Sequence, residues 1–190
     1  MIFETIITTR ATSGKVHIAP MGIREQDGYV ILAPFKPSTT LDNLLATRCA
    51  VQNFCDDVRV FAGCVTGAQR DWPAVAAQVI DSVRLADCLA HSELVLDHVN
   101  DDAQRPTLFC KRKYDVNHAA FRGFNRAQAA VIEASVLVSR LHLLPWEKIS
   151  SEWEYLSIAI EKTAGPRERE AWGWLQAKLE LHRAQLQGRP

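Results

Sequence analysis

Three consecutive hydroxyl residues, Ser38, Thr39 and Thr40, begin the segment of this chain that is best suited to hold an anion. Pro37 precedes them and ends an apolar run, because proline has no N–H to donate to a strand ladder. Leucines follow at helical spacing, so the hydroxyls stand where a helix N-cap is expected. A helix start offers unpaired backbone N–H groups and a partial positive charge, which suit a phosphate. The alternative is an ordinary capped helix without a ligand.

Polar or small residues also interrupt the neighbouring predicted strands. Thr8 and Thr9 close the first strand, and Asn53 stands at the end of the fourth. The second strand is interrupted by Ala19–Gly22, where small residues and a proline leave backbone N–H and C=O groups free. In a barrel these strand ends would gather near the start of the short helix. A flat heteroaromatic ring would then lie against Ala19–Gly22, with its phosphate at the hydroxyl residues.

Short strands dominate the first part of the chain. β-Branched runs separated by glycine-containing turns predict four strands and one short helix. These elements cover residues 2–9, 15–24, 29–35, 38–47 (the helix) and 49–54. Tight turns favour a small antiparallel barrel with one inserted helix over a doubly wound sheet, because parallel strands need crossover helices between them.

The middle of the chain leaves alternatives open. Residues 58–65 are typical of a short helix or a fifth strand, and Pro73 opens a predicted helix over residues 73–83. Residues 86–99 and 107–116 are predicted strands that either complete the barrel or pair separately.

The last third of the chain is helical. Asn125 is the predicted N-cap of a long helix that Pro145 ends. Further helices are predicted over residues 152–164 and 167–187. The chain is thus predicted to be α+β, with a β-rich domain over residues 1–120 and a helical subdomain over residues 121–190.

Composition limits the classes of partner. The 190 residues include 22 basic and 22 acidic side chains, and 47% are apolar. A balanced charge provides no field that attracts nucleic acid or an anionic membrane, and no apolar run is long enough to cross a bilayer. Five scattered cysteines without a CxxC pair favour reduced thiols over a disulfide framework. These features predict a cytoplasmic protein with neither nucleic-acid nor membrane partners.

Charged and metal-binding side chains elsewhere have ordinary interpretations. Arg126, Glu133 and Arg140 share one face of the predicted helix, either as an ion ladder or with Arg126 binding a phosphate or an acidic substrate. His91 and His98 are seven residues apart and Cys88 is near, but no tight set of ligands emerges, so no metal site is predicted. Hydrolase, P-loop and Rossmann glycine motifs are absent from the sequence.

The order of these motifs resembles that of the flavin-binding split-barrel proteins, which include flavin reductases and pyridoxamine phosphate oxidase. More closely, the chain is similar to a branch from methanogenic archaea and from bacteria with tetrahydromethanopterin-linked one-carbon metabolism. One departure is His17-Ile18, where that branch often has Asn. The motifs that carry the resemblance are Thr8-Thr9-Arg10, Ala19-Pro20-Met21-Gly22, Phe35 with Ser38, Thr40, Asn43 and Leu44, then Asn53, Asp57 and Phe61, and finally Phe124–Ala127 with Glu133 and Arg140.

The resemblance implies a split β-barrel of the FMN-binding type and a homodimer with FMN near the subunit interface. It implies that Ser38–Thr40 hold the phosphate, that Ala19–Gly22 meet the isoalloxazine ring, and that Thr9 and Asn53 reach its polar edge. Asn43 belongs to the same cofactor-binding set. The implied activity is that of an oxidoreductase with a small-molecule substrate or electron donor, and no catalytic residue is assigned. The alternatives are a non-catalytic module that holds a flavin or a pterin-like ring as carrier or sensor, and a dimerisation scaffold.

Overall fold

Eight strands and five helices follow one another in the computed structural model, which describes residues 1–187. The strands are β1 (Ile2–Arg10), β2 (Val16–Gln26), β3 (Tyr29–Leu32), β4 (Cys49–Phe54), β5 (Ala74–Ala76), β6 (Val83–Leu85), β7 (Ala90–Asn100) and β8 (Thr107–Asn117). The helices are α1 (Thr39–Thr47), α2 (Arg59–Thr66), α3 (Arg126–Ser139), α4 (Trp146–Thr163) and α5 (Pro166–Gln187).

Six of the strands close into an antiparallel barrel in the order β1-β2-β3-β8-β7-β4, whereas β5 and β6 form a separate hairpin. The predicted α+β fold, a small antiparallel barrel with one inserted helix followed by a helical part, is therefore confirmed. The chain divides into two compact units. The first comprises residues 1–56 and 71–121, and the second comprises residues 57–70 and the chain from residue 122 onward.

The barrel core comes from the inward-facing side of each strand. Ile7, Leu32 and Leu94 are fully buried there, as the alternation of side chains along a strand requires. β1 pairs with β2 over nine residue positions. The turn from β2 to β3 consists of Asp27 and Gly28, both at positive φ (52° and 79°), which is the type I′ geometry that Asp-Gly favours.

Helix α1 lies where the sequence predicts it. Its N-cap is Ser38, and it ends at Arg48, whose left-handed conformation lets its N–H bond the carbonyl of Leu44 at 2.9 Å. Leu41 and Leu44 are buried in the barrel core, so the apolar side of this short helix is what attaches it to the strands.

The helix predicted over residues 73–83 is wrong, because this segment forms β5, a loop and β6. Three consecutive backbone N–H groups in the loop, those of Gln78, Val79 and Ile80, bond the carboxylate of Glu93 on β7. A helix would use those N–H groups internally. The buried carboxylate provides acceptors that only the folded barrel brings near, so tertiary structure overrides the local helical pattern.

The second unit is a helical cluster. Residues 58–65, whose sequence is typical of a helix or a strand, are helical, because α2 spans Arg59–Thr66 with Val58 as its N-cap residue. Asn125 caps α3 as predicted, by accepting from the N–H groups of Ala127 and Gln128. The core is apolar and includes a stacked pair of rings, Trp153 on Trp172, with centroids 4.1 Å apart.

Two helix boundaries in this unit differ from the prediction. α3 ends at Ser139 and does not continue to residue 144, because the Arg140 N–H bonds the carbonyl of Leu137 and tightens the last turn. α4 begins at Trp146, six residues before the predicted start, since Pro145 is its N-cap residue. Across residues 1–187, none of the helices combines the length and the apolar character that a membrane crossing requires.

Candidate functional site

The start of α1 has free hydrogen-bonding capacity. The Ser38 hydroxyl accepts from the N–H of Leu41 at 3.3 Å, and the Ser38 carbonyl accepts from the N–H of Asp42 at 3.0 Å. Within residues 1–187, the backbone N–H groups of Thr39 and Thr40 have no hydrogen-bond acceptor. Thr39 is exposed, Ser38 is half-buried and Thr40 is buried. An anion at this helix start would therefore meet two unpaired N–H groups and three hydroxyls that differ in their exposure to solvent.

Charged groups flank the same helix start. Lys36 lies two residues before the N-cap and forms an exposed ion pair with Asp101 at 2.7 Å. Lys36 lowers the pKa of the Asp101 carboxyl through this hydrogen bond. The Arg105 guanidinium lies 4.5 Å from the centroid of the Phe35 ring. Asp42 is the acidic residue of the first helical turn. Two cations thus accompany the positive end of the helix, opposed by two exposed carboxylates that an incoming anion would have to outcompete.

Residues Ala19–Gly22 lie in the part of β2 that has one strand neighbour. The β1–β2 ladder extends over the whole segment, whereas the β2–β3 ladder contains only the positions Arg24–Gln26. Residues Ala19–Gly22 are all half-buried. The backbone of this segment therefore has an edge that β3 does not pair.

Gly22 lies beside the exposed side chains of Ile2 and Glu4 on β1. A Cβ atom there would lie 2.9 Å from Ile2 Cγ2 and 3.2 Å from Glu4 Oε1. Thr5 adds a second link between the two strands, because its hydroxyl donates to the Met21 carbonyl at 3.1 Å. A side chain at position 22 would displace the ends of these two exposed side chains, so the glycine is accounted for within the protein and is no evidence for a ligand.

Thr9 and Asn43 connect β1 to α1. The Asn43 amide donates to the Thr9 hydroxyl at 3.0 Å, and both side chains are buried. Asn43 lies one turn after Thr39, so this bond fixes the start of the helix against the end of β1. The structure therefore brings five predicted site residues together, namely Ser38, Thr39, Thr40, Asn43 and Thr9.

Asn53 lies on the other side of the barrel wall. Its Nδ2 donates to the carbonyls of Ile6 and Val51 and to the Thr8 hydroxyl, at 3.0–3.2 Å. Its Oδ1 accepts from the Leu85 N–H at 2.8 Å, and the side chain is completely buried. Thr8 and Thr9 face opposite sides of β1. The Asn53 amide therefore holds the β5–β6 hairpin on the barrel, and a ring contact would have to replace one of these bonds.

Glu93 was not singled out from the sequence. It is fully buried on β7, and besides three loop N–H groups it bonds His91 Nε2 at 3.2 Å. Burial raises the pKa of the Glu93 carboxyl, but the hydrogen bonds from Gln78, Val79, His91 and Ile80 together hold it below its usual value. The residue is therefore ionised and accepts hydrogen bonds without donating any. The single acidic residue within a run of apolar strand positions was the only available signal.

Gln52 is a second buried polar residue that the sequence did not reveal. Its side chain is fully buried, and neither its Nε2 nor its Oε1 has a hydrogen-bond partner within the chain as far as residue 187. It shares the inward face of β4 with Ala50, and its strand neighbours are Ile7 and Ser92. An amide in this state has both a donor and an acceptor unused.

A cavity of about 610 Å³ lies at the opposite end of β4 from α1. It lies where β4 ends, β7 begins and β8 ends. His118 forms part of its wall, and His118 Nε2 lies 2.8 Å from His91 Nδ1. The other lining residues include Phe54, Leu89, Asn117, Ala119 and Phe121.

Comparison with known proteins identifies family models for both parts of the chain. The model described as "Protein of unknown function (DUF447) N-terminal domain" matches residues 3–119. The model described as "Protein of unknown function (DUF447)" matches residues 125–177. No curated protein sequence matches the chain.

Solved structures with the same fold include a protein of the same family. It is an FMN-bound protein from Methanosarcina mazei, with a TM-score of 0.79 and 20% identity over 93% of this chain and 94% of that one. A flavoredoxin from Methanosarcina acetivorans has a TM-score of 0.53 and 12% identity, over 62% of this chain and 69% of that one. A 2-nitrobenzoate 2-nitroreductase from Pseudomonas fluorescens has a TM-score of 0.52 and 19% identity, over 60% and 64% of the two chains. At such identities the similarity concerns the fold.

Proposed function

The chain belongs to the DUF447 family, and on this premise we propose that it binds FMN in its barrel unit and acts as a flavin-dependent oxidoreductase. The proposal is supported by a fold shared with an FMN-bound protein, a flavoredoxin and a nitroreductase. The site residues of this chain supply the remaining support.

The observation that carries the proposal is the unpaired start of α1. The N–H groups of Thr39 and Thr40 point out of a helix N-terminus, where the macrodipole favours a negative charge. The Ser38 hydroxyl accepts one hydrogen bond and keeps its own proton available for a phosphate oxygen. We propose that this group of N–H and hydroxyl donors holds the FMN phosphate.

For the ring, we propose the backbone of Ala19–Gly22, one edge of which β3 does not pair. Thr9 and Asn43 would hold the phosphate end in place relative to this strand, because their hydrogen bond joins α1 to β1. Asn53 would stabilise the wall from its other face. FMN, when bound, supplies the redox chemistry, and these residues bind and orient it.

A homodimer remains part of the proposal. Exposed apolar side chains on the barrel unit, at Ile2 (62%), Phe3 (44%) and Phe35 (63%), are the kind of surface that a second subunit covers. The sequence resemblance to a branch linked with tetrahydromethanopterin is the ground for proposing a role in one-carbon metabolism.

The first experiment is a titration of the purified chain with FMN, followed by flavin fluorescence. We expect saturable binding, and binding of riboflavin that is weaker because riboflavin has no phosphate. A protein that leaves FMN fluorescence unchanged at every concentration would refute the proposal.

The second candidate function is a carrier or sensor that holds the flavin without turnover. The two functions are separated by adding NADH, NADPH or a reduced deazaflavin to the FMN-loaded protein without oxygen. Bleaching of the flavin absorbance at a catalytically useful rate supports the oxidoreductase. Bound FMN that none of these donors reduces supports the carrier or sensor.

A further inference from the structure

Three metal-binding side chains meet beside the cavity at the end of β4. The ligand atoms of Cys88, His91 and His118 all lie within 4.8 Å of one another. Cys88 precedes β7, His91 is its second residue, and His118 follows the end of β8. The β7–β8 ladder pairs Ala90 with Asn117, which places the two histidines side by side.

We propose that Cys88, His91 and His118 form a binding site for a divalent transition metal ion of the zinc class. One thiolate and two imidazoles are ligands that Zn²⁺ prefers, and three protein ligands leave a fourth position open to water or a small ligand. This site lies on different residues from those proposed for FMN.

Glu93 orients His91 for this role. The carboxylate accepts from three backbone N–H groups, so it has no proton to give and His91 must donate through Nε2. The Nδ1 atom of His91 then carries a lone pair, and it faces His118 Nε2 at 2.8 Å. Metal-binding histidines commonly donate one ring N–H to a carboxylate, which leaves the lone pair of the other nitrogen for the metal. In His91 these two atoms are Nε2 and Nδ1.

Cys88 would bind as a thiolate. Its thiol is buried, lies 3.3 Å from the Leu85 carbonyl and has the Arg84 guanidinium 4.0 Å away. Burial raises the pKa of the Cys88 thiol and Arg84 only partly opposes this rise, so the metal ion itself must displace the thiol proton. On metal binding the Cys88 thiol releases one proton to solvent, and His118 moves its own proton from Nε2 to Nδ1. The charges of the ligand set then sum to one negative, against two positive charges on the ion.

Metal binding requires the three ligand atoms, which lie within 4.8 Å of one another, to reach tetrahedral separations. Tetrahedral ligands at about 2.0–2.3 Å from Zn²⁺ are separated by roughly 3.3–3.8 Å. The two imidazole nitrogens, now at hydrogen-bond distance, must therefore move apart by about half an ångström. His118 is exposed at the cavity wall, so it can make this movement without disturbing the core, and the ion can enter from the cavity.

The test is a titration of the metal-free full chain with ZnCl₂ by calorimetry and native mass spectrometry, and with CoCl₂ by difference absorbance. We expect one ion per chain and, with Co²⁺, a thiolate charge-transfer band together with visible bands of a tetrahedral site. The difference spectra cancel any flavin absorbance, so this result does not depend on whether FMN binds.

The decisive variant is His118→Ala, which removes an exposed ligand and leaves the core intact. Its matched control is His98→Ala, because His98 is an exposed histidine of β7 that stacks on Phe109 outside the cluster. We expect His118→Ala to lose stoichiometric Zn²⁺ binding and His98→Ala to keep it. Glu93→Gln should weaken binding by about 10–100-fold, as loss of an orienting partner does.

Three outcomes would overturn the proposal. The first is no stoichiometric binding of Zn²⁺ to the folded wild-type chain. The second is a Co²⁺ spectrum without a thiolate band. The third is equal Zn²⁺ affinity for the His118→Ala and His98→Ala variants. Circular dichroism of both variants confirms that each is folded before its affinity is compared.

Discussion

Replacement of Ser38 by Asp separates the role of this residue as a helix cap from its proposed role at a phosphate. Aspartate is as good an N-cap as serine, so the N–H of Leu41 keeps an acceptor and α1 remains formed. The substitution also places a negative charge where we propose that the FMN phosphate binds. The expected result is a folded protein of unchanged thermal stability that binds FMN poorly.

The magnitude follows from the exposure of the position. Two unit charges 4 Å apart repel by about 1 kcal/mol in water and by about 4 kcal/mol at the effective dielectric constant near a protein surface. Ser38 is half-buried, and a phosphate carries nearly two charges, so about 2 kcal/mol is a lower limit. At about 1.4 kcal/mol for each factor of ten, FMN affinity should fall at least ~30-fold.

Riboflavin is the internal control for this substitution. It carries the same ring without the phosphate, so its affinity should stay within about threefold of the wild-type value. The variant Ser13→Asp adds the same charge in the exposed β1–β2 turn and should leave both affinities unchanged. Fluorescence titrations at low and high salt complete the test, because screening should restore part of the FMN affinity of Ser38→Asp.

Two results would refute this reasoning. If Ser38→Asp and Ser13→Asp bind FMN equally well, the phosphate does not lie at the start of α1. If Ser38→Asp loses FMN and riboflavin to the same extent, the substitution acts through the fold or the ring and not through the phosphate. A scan of thermal unfolding for each variant separates the last two possibilities.

Three further predictions concern stability. Asn53→Ala should lower the free energy of unfolding in urea by about 2–4 kcal/mol, because a buried N–H and a buried carbonyl lose their hydrogen-bond partner. The control Asn117→Ala, at an exposed position, should change it by less than about 0.5 kcal/mol. Equal effects would contradict the role given to Asn53. Glu93 has a folded-state pKa below the unfolded value near 4.5, so its contribution to the free energy of unfolding is complete above that pH and is lost as the pH falls through the folded pKa. Glu93→Gln should lack this acid-dependent part of the unfolding free energy. A variant with an unaltered pH profile would be inconsistent with the lowered pKa. Gly28→Ala should lower the free energy of unfolding by about 1–2 kcal/mol, because φ at this residue is +79°. Gly173→Ala, in an open position on α5, should raise it by about 0.5–1 kcal/mol. Thermal scans that rank the two variants the other way would refute these backbone assignments.

Local chemistry made part of the fold predictable. Ser38 and Asn125 were recognisable as helix caps because a cap depends on residues within one turn of it. The Asp27-Gly28 turn was recognisable for the same reason, since two adjacent residues set its geometry. The barrel followed from these turns, because strands joined by tight connections must pair with their neighbours.

The hairpin of β5 and β6 shows where local reasoning fails. Residues 73–83 carry a helical pattern with a proline at its start, and nothing nearby in the sequence contradicts a helix. The competing acceptor is the carboxylate of Glu93, ten or more residues away, which reaches the loop only after β7 has joined the barrel. A hydrogen bond between distant segments has no signature in either segment alone.

The candidate sites divide in the same way. The hydroxyls of Ser38–Thr40 were found from sequence because the chemistry of a helix start lies within four residues. Thr9 faces α1, whereas Asn53 faces the hairpin. The pairing register of β1 and β4 decides this, because a shift of one residue would exchange the two faces of a strand. Likewise, only the β7–β8 ladder brings His118 to His91 across 26 intervening residues. The sequence alone determined caps, turns and strands, whereas contacts between distant strands exist only once the barrel has closed.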